Sequence, residues 1–204
     1  MKQKWDERYK DQEFAYGKEP NVFFKEWLIK YDPGSILMPA DGEGRNGVFA
    51  AQLGWQVTSF DQSKEGQAKA LQLAWEKNVT LMYEVGDFEN LAFEKDSFDV
   101  IGLIYAHFPA EKKSAFHQKL SNYLKPGGLV IFEAFSKSHL TFREANPRIG
   151  GPNKLEDLFS EEELQDDFKN FEVLKLEEEE ILLNEGKYHN GKGSVIRFVG
   201  RKRG

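Results

Sequence analysis

The chain has 204 residues, with 28 Lys and Arg against 34 Asp and Glu, so its formal net charge at pH 7 is −6. That length suits one domain with a sizeable core, and the acidic balance argues against nucleic acid as a partner. With no cysteine, disulfides, thiolate metal sites and a cysteine nucleophile are all excluded.

Residues 1–16 are polar with spaced aromatics (Trp5, Tyr9, Phe14, Tyr16), which predicts a short helix and a loop. Gly17-Lys18-Glu19-Pro20-Asn21 is turn material. From Val22 to Tyr31 the positions Phe23, Trp27 and Leu28 form a helical stripe, stopped by Asp32-Pro33-Gly34. Ser35 to Ala40 reads as a short buried strand, followed by the turn Asp41 to Gly47 and a helix reaching Leu53. A second strand, Trp55 to Phe60, stops at Asp61. Gln62-Ser63 can then cap a helix through Lys77, with Ala68, Leu71, Leu73 and Trp75 expected on its apolar side.

Val79 to Val85 and Phe98 to Ile104 are the third and fourth strands. A helix from Ala110 to Tyr123 leads through Leu124-Lys125-Pro126-Gly127-Gly128 into a fifth, Leu129 to Phe135. This βαβαβ order predicts an α/β fold: a parallel sheet with helices on both faces. Ser136 to Lys154 has no clear period and is expected to be a functional loop or partly helical cover. Ser160 and Glu163 have capping-box spacing. Phe171 to Asn184 and Ser194 to Arg201 predict an antiparallel pair at the sheet edge, and residues 1–204 read as a single domain.

In an open α/β sheet, ligands sit beyond the carboxyl ends of the strands. The turn Gly42-x-Gly44-x-x-Gly47, Asp61, Asp87-Phe88 and Tyr105-Ala106-His107 all stand at such ends. Gly42 and Gly44 permit close approach of a ligand to backbone. Asp61, 19 residues beyond Gly42, can accept from a ribose diol, Asp87 from an exocyclic amine, and Phe88 can pack on a base. Together they describe an adenosine site. Asp41 and Glu43, interleaved with these glycines, would repel a pyrophosphate, although Arg45 offsets part of that charge. They would attract a sulfonium bearing an α-amino group, which favours S-adenosylmethionine over NAD.

The runs Ile36 to Asn46, Phe60-Asp61-Gln62-Ser63, Gly86-Asp87-Phe88, Phe98 to Ile101 and Leu124 to Gly128 resemble, in order and spacing, the motif series of class I S-adenosylmethionine-dependent methyltransferases. Trp5-Asp6-Glu7-Arg8-Tyr9, Tyr16 to Asn21 and the Gly-Glu-Gly-Arg-Asn run resemble the small tellurite-resistance and thiopurine methyltransferase-like branch. The resemblance covers residues 1–135 and extends to the remainder only in architecture. It implies a Rossmann-like seven-stranded, mostly parallel sheet with an antiparallel last strand. It also implies S-adenosylmethionine as cofactor, with S-adenosylhomocysteine as product.

On that resemblance the cofactor-binding residues are Tyr16, Asp41, Gly42, Gly44, Arg45, Asp61, Gln62, Asp87, Phe88 and Tyr105, and Tyr105 and His107 are the catalytic candidates. Residues 1–34 would form a lid, and 136–168 the acceptor-side segment. Three positions depart from the family: Met38 replaces the acidic residue that ends the first strand, Ala40 replaces the first motif glycine, and Asp41 stands where a small residue or Cys is usual. Asp41 is expected to take over part of the lost acidic role.

His107 can serve as a base or as pocket wall, while His117 and His189 are expected at the surface. Arg143 and Arg148 could hold an acidic acceptor. The four histidines show no metal-ligand spacing. The activity expected is methyl transfer to a small-molecule acceptor by a monomer or homodimer. A non-catalytic cofactor-binding homologue and, less favoured, an NAD-linked oxidoreductase are the alternatives. The first residues lack the apolar core of a secretory signal, and no run approaches the roughly 18 apolar residues of a membrane span. A cytoplasmic protein without membrane partners is therefore expected.

Overall fold

The computed structural model describes residues 2–204. Met1, first residue of the expected lid, lies outside the described residues. The helices are α1 (Lys2–Tyr9), α2 (Val22–Leu28), α3 (Arg45–Gln52), α4 (Lys64–Glu76), α5 (Lys113–Tyr123), α6 (His139–Ala145) and α7 (Glu161–Asp167). The strands are β1 (Ser35–Pro39), β2 (Gln56–Asp61), β3 (Met82–Val85), β4 (Phe98–Ile104), β5 (Leu124–Phe135), β6 (Phe171–Glu185) and β7 (His189–Lys202). Among the described residues they form one seven-stranded sheet ordered β3-β2-β1-β4-β5-β7-β6. β1 to β5 pair in parallel, while β7 runs antiparallel to both β5 and β6.

Alternation along the strands supplies a core on each face of the sheet. Leu37, Ile101, Leu103, Val130 and Phe132 pack with Phe116 and Leu120 of α5 and Leu164 of α7. Their neighbours Ile36, Met38, Val100, Leu129 and Ile131 pack instead with Phe23, Phe24 and Leu28 of α2. The capping box of α7 forms as its spacing requires, with Ser160 accepting from the Glu163 amide and Glu163 from the Ser160 amide.

The buried face of α4 differs from the expectation. Gly66, Ala70, Leu73 and Ala74 face inward, whereas Ala68, Leu71 and Trp75 are exposed, Trp75 at 79%. The reason is close approach: a Cβ on Gly66 would lie 2.8 Å from the Gly42 carbonyl, and one on Gly44 would lie 2.5 Å from the Ala70 Cβ. Small residues are required where α4 meets the loop after β1, so the larger apolar side chains turn outward.

Candidate active site

The strand order reverses between β1 and β4, and the chain leaves both strands in the left-handed backbone region: Ala40 has φ 52° and Tyr105 φ 51°. Non-glycine residues rarely adopt this conformation, and where they do it often marks a site. A cavity of about 1080 Å³ opens at this switch point, lined by both residues. Its floor includes Pro39, Asp41, Gly42, Asp61 and Gln62. Asp87 and Phe88 line it from the loop after β3, and Trp5, Arg8 and Tyr9 of α1 from above.

Gly42 joins three elements. Its amide donates to Asp61 Oδ2 at 3.2 Å, its carbonyl accepts from Tyr83 Oη at 2.5 Å, and its φ of 55° leaves no room for a Cβ beside Tyr9 Oη. Asp61 Oδ1 also accepts from the Ser63 amide at 2.9 Å. Burial raises the Asp61 pKa, opposed by these backbone donors. Asp41 accepts from Ser59 Oγ at 2.7 Å and from the Gly47 amide at 3.4 Å. Burial pushes its carboxyl up to about 7 despite those bonds. An acid-lined, partly dehydrated floor of this kind suits a cationic ligand better than a pyrophosphate.

Residues 36–128 match the family model described as a methyltransferase domain. No curated protein matches the chain. Among solved structures, a protein described by the conversion of a disulfide bond into a thioacetal group during echinomycin biosynthesis is similar at 17% identity and TM-score 0.78. That alignment covers 100% of this chain and 92% of the other. TehB from Haemophilus influenzae is similar at 16% identity and TM-score 0.72, covering 99% and 67% respectively. Magnesium protoporphyrin IX methyltransferase from Synechocystis PCC 6803, solved with bound S-adenosylhomocysteine, is 16% identical with TM-score 0.66, covering 87% and 79%.

Residues 36–128 form a methyltransferase domain.

S-adenosylmethionine is the cofactor expected from the sequence. The residues present fit it: Asp61, Asp41 and the Gly42 backbone supply acceptors and a carboxylate field, and Phe88 lines an apolar wall with Phe60. Phe88 stacks on Phe60 at 5.4 Å between ring centroids. Asp87 is exposed at the rim.

Of the residues singled out from sequence, the cavity gathers Tyr16, Asp41, Gly42, Arg45, Asp61, Gln62, Asp87, Phe88, Tyr105 and His107. Gly44 lies outside the lining. It precedes α3 with φ 79° and faces Ala70, so its small size serves packing. Arg45 lies in the wall but is engaged: it pairs with Glu185 at 3.0 Å and donates to the carbonyls of Tyr16 and Glu19. Glu43 is likewise turned to structural use, pairing with Lys69 at 2.7 Å and accepting from the Ala15 amide at 2.8 Å. Met38, where the family has an acid, is buried against Phe24 and Gly102.

The far end of the cavity contains Tyr105, His107, Arg143, Arg148 and Gly150 to Asn153. His107 has a buried Nδ1 without a partner among the described residues, and burial lowers its pKa to about 3. Burial pushes the Tyr105 phenol well above its ordinary value, with the Glu133 charge adding to the effect.

Two histidines expected at the surface are buried. His117 is fully enclosed on α5, its Nδ1 2.7 Å from Asp167 Oδ2 and its ring stacked on Phe159 and Phe168. A neighbouring carboxylate and aromatic faces let an imidazole enter the core, a pairing that α5 alone does not reveal. His189 lies in the cavity wall at 4% exposure, because the β6–β7 hairpin folds back over the site. Sequence reasoning missed it and Tyr188, since a hairpin turn carries no periodic signal.

No helix among the described residues is long and apolar enough to cross a membrane. No cluster of three or more His, Asp or Glu that could hold a metal is present among them.

Proposed function

We propose that this chain transfers a methyl group from S-adenosylmethionine to a small-molecule acceptor. The observation that carries the reading is a single cavity, acidic at the floor of the β1 and β2 loops and bounded by imidazoles, aromatic rings and Arg143 at its other end. Residues 1–34 form the lid, 136–168 form the acceptor-side segment, and the whole chain acts as one domain. Several contacts support the lid. Asp6 accepts from Ser63 Oγ at 2.6 Å at the start of α4, and Arg8 donates to Tyr16 Oη at 2.6 Å while lying over the Tyr188 ring. Arg143 donates to the Gly150 carbonyl at 3.3 Å, a bond within the acceptor-side segment that joins two residues of the cavity lining.

When bound, the cofactor supplies an electrophilic methyl carbon on a cationic sulfonium. In this reading Asp61 receives the ribose hydroxyls, Asp87 and Phe88 the adenine, and Asp41 and the Gly42 backbone the amino-acid portion. Tyr105 borders the transfer path, and His107 positions the acceptor. The chain's work is alignment and exclusion of water, which suits an in-line displacement. Membership of the tellurite-resistance and thiopurine methyltransferase-like branch is part of the proposal. It is supported by the Trp5 to Tyr9 and Tyr16 to Asn21 runs and by the likeness to TehB.

Incubation with S-adenosylmethionine and a panel of small thiols, phenols, amines and oxyanions, with S-adenosylhomocysteine release measured, tests the reading. Acceptor-dependent release supports it. Cofactor binding with no turnover on any acceptor would favour a non-catalytic homologue.

A further inference from the structure

The β6–β7 hairpin brings a carboxylate–imidazole couple to the acceptor end of the cavity. His189 Nδ1 lies 2.9 Å from Glu185 Oε2. Glu185 is fixed in turn by Arg45 at 3.0 Å and by Asn21 Nδ2 at 3.2 Å. His189 and Arg45 hold its carboxyl down to about 2 against the burial that would raise it. An ionised Glu185 accepts the Nδ1 proton, which leaves Nε2 with its lone pair.

That nitrogen makes no hydrogen bond among the described residues, in a ring that lines the cavity. Tyr16, Tyr105 and Phe135 surround the ring at 4.5, 4.7 and 5.2 Å between centroids. Gly150 has φ 83° and would place a Cβ 2.9 Å from His189 Cδ2, so a glycine is needed for the loop to lie beside the imidazole.

Resting on the methyl-transfer reading above, we propose that His189, oriented by Glu185, is the base that receives the proton of the acceptor's nucleophilic atom. The acceptor class is therefore a protic one, a hydroxyl or thiol. The nucleophile's electron pair forms the bond to the methyl carbon, and the sulfur keeps the pair of the bond that breaks. The nucleophile's proton passes to Nε2, giving an imidazolium beside the Glu185 carboxylate. His107 is less suited to the role, because no carboxylate orients it. Glu185 is a positioning residue in this scheme.

Nitrogen-15 NMR of the imidazoles, with S-adenosylhomocysteine present, reads the tautomer directly. The expected result is a His189 ring protonated at Nδ1 and bare at Nε2. Burial already lowers the His189 titration, and Glu185→Gln should lower it further, since the carboxylate favours the charged ring. The other groups around that ring are Arg8, Arg45, Tyr16, Tyr105, His107 and His139, and none of them is altered.

With a phenol or thiol acceptor, His189→Asn should lose about 100-fold or more in kcat while binding S-adenosylhomocysteine within about threefold of wild type. A ring protonated at Nε2, or turnover that survives in His189→Asn, overturns the proposal and leaves the methyl-transfer reading intact. Failure of the wild type to bind S-adenosylhomocysteine overturns that reading, and the proposal with it.

Discussion

Ala40 and Tyr105 end adjacent parallel strands with nearly the same left-handed backbone, φ 52° and 51°, and both face the cavity between them. The family's glycine at the first position has a physical reason here, since the turn demands a conformation costing roughly 1–2 kcal/mol for an L residue. Ala40→Gly removes that strain but also the methyl that packs on the core, so stability should change by no more than about 1 kcal/mol. Ala40→Val adds a β-branched side chain in the same conformation and should cost at least about 2 kcal/mol. Denaturant melts of both variants check this. A valine variant as stable as wild type would contradict the turn geometry.

Two glycines with nearly equal dihedrals separate strain from space. Gly44 and Gly127 have φ 79° and 80°, but a Cβ on Gly44 meets Ala70 at 2.5 Å whereas one on Gly127 meets nothing within 4 Å. Gly127→Ala should cost about 1 kcal/mol. Gly44→Ala should cost at least about 2 kcal/mol more, because α4 cannot move away without disturbing the cofactor loop. Equal losses would mean that α4 does not pack on that loop as described.

Asp41 gives a pH dependence of definite sign. Its carboxyl is pushed up to about 7 by burial, well above its unfolded value near 4. The native state therefore holds the proton more tightly. The associated stability is fully present below about pH 4, is lost as pH rises towards 7, and stays level above that. Asp41→Asn carries no such loss. Paired unfolding curves between pH 4 and 8 should show the variant gaining on wild type by several kcal/mol at about 1.4 per unit, and parallel curves would refute it. In cofactor titrations above pH 7, Asp41→Ala should bind S-adenosylmethionine at least about tenfold more weakly. Equal affinity would remove Asp41 from the acidic role.

Glu43 ties the Ala15 segment, part of the proposed lid, to the loop after β1 through the Ala15 amide and Lys69. Glu43→Ala should raise amide exchange across residues 9–17 and weaken cofactor binding by about tenfold, since the roof over the floor loses its anchor. Unchanged protection of Ala15 would show that the lid is held elsewhere.

Much of this architecture could be read directly from the sequence. The short apolar strands and their glycine ends specify the parallel half of the sheet, and the strand ends specify which residues line the cavity. What escaped lies in long-range packing. The inward face of α4 follows small residues rather than large ones, because Gly66 and Ala70 meet the Gly42–Gly44 loop. His117 entered the core because Asp167, fifty residues later, lies 2.7 Å from its ring nitrogen. His189 reached the site because β7 pairs antiparallel with β5 and carries the hairpin back over Tyr105. None of these partners is a neighbour in the chain.

The most direct test of the central claim is thermal unfolding of the protein with S-adenosylmethionine, S-adenosylhomocysteine and NAD in parallel, for wild type and Asp61→Ala. Both adenosyl ligands should raise the melting temperature of wild type, in proportion to RT ln(1 + [L]/Kd), with little effect on the variant and none from NAD. Stabilisation by NAD alone would contradict the account.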